Sequence, residues 1–406
     1  MSRYCISSDD LIILRDGRPF GAAGIFGGNS LDWPYPQTLA GMCRSAIGLN
    51  CCSDYFSHKS NLEQILKVSL DRVLPLLCSD HDEFLLPIPA DIIFCGEKQR
   101  QAHVLSYKSM GKGEGTDVKC PHWLYPTIAT EEKAATRPKF MRQQFANDYL
   151  TGSLGISKEI HDEDADFVSG PILETRIHTA IDPKTGSADE GKLFAESGLY
   201  LKAPKHGHSF DRFEILLPFG ENEQGILGDI KISFDLSGLT EDMEMPEFAY
   251  LGGERRRVLV EKDCPPQFPE PIKTDGTDRF LKLLLTTHGD FGSWAPQWLV
   301  PDGDESRCDW VTEPRSGVKL RLRSAVLSGW APVSGWDYAK YCQKAFKKLV
   351  CPGSVYLVEL QDSTQSGKFI DAIWGKSICE AESQSDKDGY GQVLVAKGMH
   401  ISEVKE

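Results

Sequence analysis

Two arginine-bearing turns hold most of the chemical content of this 406-residue chain. In Leu14-Arg-Asp-Gly-Arg-Pro-Phe20, Arg15 and Arg18 flank an Asp16-Gly17 turn, and glycines follow at Gly21, Gly24, Gly27 and Gly28. Guanidinium forks beside backbone opened up by glycine suit phosphate oxygens and base edges. The same string reads equally as a turn closed by Arg15 and Asp16, with Phe20 as a core plug. Leu251-Gly-Gly-Glu-Arg-Arg256 is the more distinctive string. Gly252 and Gly253 introduce three arginines at a predicted strand start, so that Arg255 and Arg257 share one face and Arg256 takes the other. Glu254 stands where it can orient a guanidinium. A nucleotide-binding P-loop is excluded, because no Gly-Lys-Ser/Thr follows the glycines.

Other candidates are less specific. Arg44, one turn into a predicted helix, reaches either a phosphate or a surface acid. Arg176, His178, Lys184 and Lys192 lie on a predicted hairpin, where Ile177, Ile181 or Phe194 could wedge between bases; the residues alone favour a plain sheet hairpin. Phe291, Trp294, Trp298, Trp330 and Trp336 suit a core or an interface better than base stacking. Catalytic constellations are thin. The ten histidines are scattered, no Gly-x-Ser-x-Gly is present, and Asp80-His-Asp82 and Asp302-Gly-Asp304 lack an EF-hand continuation. His206-Gly-His208 is a weak metal pair. The residues therefore predict no catalytic group, no metal and no cofactor.

The elements that must position these residues follow from pattern. Tyr4–Leu14 reads as a strand. Pro34 and Pro36 precede a helix over about 37–49, with Leu39, Met42, Cys43 and Ile47 near one face. Short strands are predicted at 84–86 and 92–94, an irregular insertion at 107–137, and a helix at 139–150. Ile172–Ile181 and 192–201 flank the turn signal Asp182-Pro-Lys-Thr-Gly186, a long hairpin. Further strands are predicted at 212–217, 230–234, 257–260, 280–286, 318–327, 354–360 and 392–396, with a helix near 338–348. Strand, glycine loop and helix recur in both halves, and the boundary is placed near residue 205.

Composition narrows the class. Forty per cent hydrophobic and 26% charged residues are ordinary for a globular protein. No apolar run is long enough to span a membrane and the N-terminus carries no signal pattern, so a cytoplasmic location is expected. The twelve cysteines include no Cys-x-x-Cys, which argues for buried free thiols over a zinc ribbon. The net charge of −14 opposes nucleic-acid binding unless charge is segregated. Between Arg315 and Lys348 stand eight basic residues and one acid, Asp337, which is consistent with one face for RNA.

Six islands taken in order carry a family resemblance: Leu14–Phe20, Pro36-Gln-Thr-Leu-Ala-Gly-Met-Cys-Arg44, Glu174-Thr-Arg176, Leu251–Arg256, Pro352-Gly-Ser-Val-Tyr356 and Gly389-Tyr-Gly-Gln-Val393. Together they resemble the third subunit of the type III-B CRISPR effector (the Cmr complex), within the RAMP superfamily. The resemblance implies an α+β chain of two ferredoxin-like (RRM-type) domains, 1–205 and 206–406, with glycine-rich loops and a thumb-like β-hairpin at 172–202. It implies a non-catalytic subunit that binds the repeat-derived 5′ tag of CRISPR RNA and caps the complex, with the large signalling subunit and the first backbone subunit as partners. The RNA-binding set implied is Arg15, Arg18, Gly27, Gly28, Arg44, Arg176, His178, Gly252, Gly253, Arg255, Arg256, Gly389 and Gly391. Two other classes stay open. One is a RAMP-type metal-independent endoribonuclease with His58 as general base; the other is a metabolic enzyme whose glycine loops hold a nucleotide.

Overall fold

The N-terminal strand, Ser2–Ser7, alternates in burial purpose: Tyr4 and Ile6 enter one core, and Cys5 enters a second on the opposite face. The computed structural model describes residues 2–15, 30–96, 100–111, 120, 122–128, 130–206, 225–300, 309–337, 341–398 and 401. Arg18, the glycines from Gly21 to Gly28, the expected strand at 212–217 and Asp302-Gly-Asp304 lie outside them.

Helices and strands are mixed, and two larger antiparallel sheets organise the chain. The first runs Phe248–Tyr250, Arg257–Lys262, Ser2–Ser7, Ile226–Ser237, Ser69–Cys78, Glu83–Phe84, with Lys202–Pro204 also pairing Ile226–Ser237. The second runs Val311–Thr312, Lys319–Val326, Val355–Leu360, Phe280–Leu285, Gln392–Lys397, Lys376–Ser377. Sheet membership changes between Lys262 and Phe280, and residue 205 sits just after a strand of the first sheet.

The helix Pro36–Cys51 begins with proline at its first position and buries Leu39, Met42, Cys43 and Ile47 against the first sheet. The expected helix at 139–150 is shorter. Phe140–Met141 pairs as a strand with Val168 and Phe167, and the helix is Gln143–Thr151, ended by Gly152 at φ 76°. The expected helix near 338–348 is absent from the described residues. Trp330–Val333 pairs Lys347–Val350, and Trp336–Asp337 pairs Cys342–Gln343, so the segment is a β-hairpin. Its residues have reasonable helix propensity, but the apolar Ala331, Val333 and Leu349 alternate toward Tyr35 and Leu31, and tertiary packing decides.

The insertion expected at 107–137 covers the second sheet. Ser106–Ser109 pairs Leu124–Thr127, and Tyr107 and Leu124 pack on Leu357. Beneath them Lys282 Nζ lies 2.7 Å from Asp91 Oδ2, while Tyr107 and Tyr149 donate their hydroxyls to the same carboxylate at 3.2 and 2.9 Å. Burial, then the Asp91 charge, pushes both phenols well above their ordinary range. The Pro352–Tyr356 motif meets the Pro87–Asp91 stretch alongside. Gly353, at φ +84°, places its Cα where a Cβ would be 2.3 Å from the Ile88 carbonyl, and its own carbonyl accepts from Ala90 N–H at 2.7 Å.

The eleven described cysteines are free; six are buried, while Cys52 and Cys342 are exposed. No described helix is long and apolar enough to cross a membrane.

Candidate nucleic-acid interface

Three stretches remote in sequence converge at the root of the long hairpin. The hairpin is formed by Ile172–Ile181 and Ala188–Tyr200, closed by a turn in which Gly186 N–H donates to the Asp182 carbonyl. Its base is tied to the segment after the first strand by a reciprocal pair of backbone bonds between Ile12 and Leu199, at 2.9 and 2.7 Å. The 251–256 turn docks on the same segment: Gly253 N–H donates to the Ile13 carbonyl at 2.7 Å. Gly252, at φ +79°, lies so close that a Cβ there would stand 2.3 Å from that carbonyl.

The arginine geometry corrects the alternating-strand expectation. Gly253–Arg255 is a single 3-10 turn with Glu254 and Arg255 at φ 56° and 51°, and the strand starts only at Arg257. Arg257 stacks on the edge-strand ring of Phe248, 3.6 Å from its centroid. Arg255 is exposed and makes no ion pair among the described residues. Arg15 pairs with Glu254 at 3.1 Å, so Glu254 does hold a guanidinium. Arg256 reaches Asp10 at 2.6 Å and Glu196 at 3.7 Å. Arg176 grips the buried Glu174 at 2.6 Å and the second Asp10 oxygen at 3.2 Å, while His178 faces Glu196 at 3.7 Å.

Arg15, Arg176, His178, Gly252, Gly253, Arg255 and Arg256 therefore form one cluster. Asp10, absent from the sequence-derived set, is its hub. Burial raises the Asp10 carboxyl, but the Leu11 N–H, Arg256 and Arg176 together hold it below its ordinary range. In the sequence Asp10 falls inside the expected strand Tyr4–Leu14, and only the strand's end at Ser7 frees it to meet the arginines. Three guanidiniums (Arg15, Arg176, Arg256) pair with four carboxylates (Asp10, Glu174, Glu196, Glu254), and Arg255 stands exposed on the same turn. Such a lattice orients donors and supplies acceptors for base N–H groups, and it adds little net field.

Arg44, Gly389 and Gly391 lie elsewhere, at the joint between the sheets. Arg44 pairs with Asp388 and donates to the Val68 carbonyl at 2.7 Å. Gly389, at φ +86°, sits where a Cβ would be 2.9 Å from the Leu70 carbonyl, and Gly391 N–H donates to the His288 carbonyl at 2.7 Å. The next residue, Gln392, bonds Val73 N–H and the Leu70 carbonyl with its side chain, stitching one sheet to the other.

A cavity of about 290 Å³ opens at the same joint, lined by Trp33, Lys139, Phe140, His288, Ser328 and Cys351. Lys139 pairs with Asp32 at 2.6 Å. Tyr35 packs edge-on against His288 with centroids 4.8 Å apart. Burial pushes the His288 imidazole down to about 4.

Among the described residues, the long basic run from Arg315 to Lys348 is broken up by acids. Glu359 binds Arg321 at 2.8 Å and also pairs with Arg323 and Arg279, Asp386 binds Arg315 at 2.7 Å, and Asp290 binds Lys347 at 2.6 Å. Trp294 and Trp298 serve packing: the Tyr356 hydroxyl donates to the Trp294 carbonyl, and Trp298 Nε1 donates to the Ile378 carbonyl. His58 is exposed and faces Asp54 at 3.5 Å. His206 pairs with Glu163 at 2.9 Å. Among the described residues no group of three or more His, Cys, Asp or Glu is arranged to hold a metal ion.

Compared with known proteins, residues 4–397 match the family model of the CRISPR-associated protein Cas_Cmr3. The chain belongs to this family. Among curated proteins none matches the sequence significantly. Similar solved chains come from the type III-B Cmr-beta complex bound to cognate target RNA and AMPPnP (13% identity, TM-score 0.45, 97% of this chain and 99% of that one). The same complex bound to cognate target RNA supplies another (14%, 0.44, 98% and 99%). A third belongs to a Csm3–Csm4 subcomplex of the type III-A CRISPR-Cas interference complex (12%, 0.33, 88% and 92%).

Proposed function

We propose that this Cas_Cmr3 family chain is a non-catalytic subunit that holds the repeat-derived 5′ tag of a CRISPR RNA and caps one end of a type III-B effector. The observation that carries this reading is the convergence of Leu11–Arg15, the hairpin root and the 251–256 turn on one arginine–carboxylate lattice. Arg255, exposed and unpaired among the described residues, meets phosphate; Arg15, Arg176 and Arg256, held by carboxylates, present fixed donors to tag bases. The hairpin acts as the thumb at the junction of tag and guide.

We also propose that each sheet is a ferredoxin-like unit. In the first, the chain-order strands Ser2–Ser7, Ser69–Cys78, Ile226–Ser237 and Arg257–Lys262 lie fourth-first-third-second. In the second, Phe280–Leu285, Lys319–Val326, Val355–Leu360 and Gln392–Lys397 lie in that same order. The exchange between units runs through 263–279.

The test is recovery of the affinity-tagged chain from its native host, with identification of co-purifying proteins and sequencing of bound RNA ends. CRISPR RNAs sharing one repeat-derived 5′ end, together with a large subunit and a backbone subunit, are expected. Recovery of the chain without RNA overturns the reading. The endoribonuclease alternative rests on His58, and a His58→Ala variant that leaves repeat-RNA cleavage unchanged removes it.

A further inference from the structure

Among the described residues, each sheet carries an extended hairpin in the same connection. The first, Ile172–Tyr200, lies between Ser69–Cys78 and Ile226–Ser237, the second and third strands of its sheet. The second, Trp330–Val350, lies between Lys319–Val326 and Val355–Leu360, again the second and third strands. The two differ in chemistry. The chain as a whole carries −14, yet residues 328–350 contain four lysines and one acid.

The inner face of the second hairpin is anchored. Val333 and Leu349 pack with Tyr35, whose hydroxyl donates to the Pro332 carbonyl at 3.2 Å, and Gly289 and Val350 exchange backbone bonds at 2.8 and 2.9 Å. The outer face is open. Tyr341 is 81% exposed, Phe346 70% and Trp330 38%. Lys348 Nζ lies 4.1 Å from the Trp330 ring centroid. Lys344 carries no ion pair among the described residues. Large exposed rings interleaved with lysines, on an otherwise acidic protein, match a polyanion with flat faces.

We propose that this second hairpin is a further contact for single-stranded RNA: bases stack on Tyr341 and Phe346, while Lys344 and Lys348 meet phosphates without base preference. The path from the first cluster is short. Arg15 bridges to Ser30, Leu31 N–H donates to the Leu14 carbonyl at 2.6 Å, and the chain then runs five residues from Ser30 to Tyr35 beneath the hairpin. Five residues span at most about 18 Å, so the foot of the second hairpin, at Pro332 and Leu349, lies a few nucleotides of extended strand from the bridge at Ser30. The inference rests on the proposed RNA-binding role and adds to it a second, sequence-independent grip.

The test compares binding of a fluorescent RNA carrying the tag and a stretch of guide sequence to four proteins: the natural chain, Arg255→Ala, Tyr341→Ala/Phe346→Ala and Lys344→Ala/Lys348→Ala. The aromatic pair is expected to cost about tenfold or more in affinity. That loss should disappear on an RNA whose guide portion is annealed to a complement. The lysine pair is expected to lower the salt slope by about one to one and a half. Because the altered residues are exposed, thermal midpoints should stay unchanged. Full affinity and slope in both hairpin variants, with Arg255→Ala still weakened, overturn the second grip and leave the first. Full affinity in all three variants overturns the proposed RNA site itself. Loss of a protein subunit from the assembled complex with RNA affinity intact also overturns this inference, assigning the hairpin to a protein partner.

Discussion

Arg256 Nη1 lies 2.6 Å from Asp10 Oδ2, and the other oxygen of that carboxylate takes Arg176 at 3.2 Å. One acid on the segment after the first strand thus fixes two guanidiniums from elements that are remote in sequence. An exposed pair of this kind contributes little stability, so its consequence lies in positioning. Asp10→Ala takes one partner from each cation, leaving Arg176 on Glu174 and Arg256 near Glu196. Non-tag RNA should then bind more tightly, with a salt slope steeper by about one, and the preference for the tag should shrink. Titrations of tag and scrambled RNA at several salt concentrations measure this, and unchanged slopes would remove Asp10 from the account. The Asp10 carboxyl is held below its ordinary range, so its contribution is present above the unfolded value and is lost as pH falls through the lower folded one.

Gly252 and Gly253 separate conformation from recognition. Gly252 combines φ +79° with a backbone carbonyl 2.3 Å from where a Cβ would stand, and neither can relax cheaply. Gly252→Ala should destabilise the chain by about 1–3 kcal/mol and weaken RNA binding through the displaced turn. At Gly253 the nearest atom is the flexible Arg15 side chain at 3.4 Å, with no left-handed backbone. Gly253→Ala should change stability by only about 0.5 kcal/mol. Urea denaturation distinguishes the two.

The Lys282–Asp91 pair is 2% and 0% exposed. Removing one partner strands a charge, so Asp91→Ala or Lys282→Ala should each cost about 3–5 kcal/mol. Tyr107→Phe or Tyr149→Phe should cost about 1–2 kcal/mol, since each removes one donor from a carboxylate that keeps others. Equal small losses in all four variants, by urea titration, would show that the layer beneath the 106–127 segment is solvated.

His288 gives the sheet joint a pH dependence. Its imidazole is pushed down to about 4 by burial, so the folded state favours the neutral ring. Between that value and the unfolded value near 6.5 the unfolded chain binds the extra proton, and stability rises with pH. The contribution is complete above about pH 6.5 and is lost on acidification toward 4, a fall of roughly 2–3 kcal/mol. His288→Asn should flatten that part of the curve, as measured by denaturation at pH 7 and pH 5.

Periodicity exposed the elements with simple chemistry. The helix at Pro36 was legible from proline at its start and the spacing of Leu39, Met42, Cys43 and Ile47. The long hairpin was legible from Asp182–Gly186, and the strands of the second sheet from apolar runs such as Val355–Leu360. The strand Ser69–Cys78 escaped because Pro75 interrupts its run. Pro75 offers no N–H to the ladder, and its carbonyl accepts from Leu85 N–H at 2.9 Å. Arg255 and Arg256 read as strand like Arg257 because left-handed φ at Glu254 and Arg255 leaves no composition mark on non-glycine residues; the strand does begin at Arg257. The candidate site was half legible. Its arginines stood out as motifs, but Asp10 and Glu196 matter only once the hairpin root brings them beside Arg256, and Arg44 meets Asp388 across 344 positions.

The measurement that bears most directly on the central claim is a titration of the purified chain with fluorescent RNA ending in the repeat-derived 5′ tag, beside a scrambled strand of equal length. Both are read at several salt concentrations for the natural protein, Arg255→Ala and Arg256→Ala. The account expects tighter binding of the tag, a modest salt slope from a near-neutral lattice, and a slope lower by about one in Arg255→Ala. Arg256→Ala should lose tag preference more than overall affinity. Equal binding of both strands by all three proteins, with identical slopes, would contradict it.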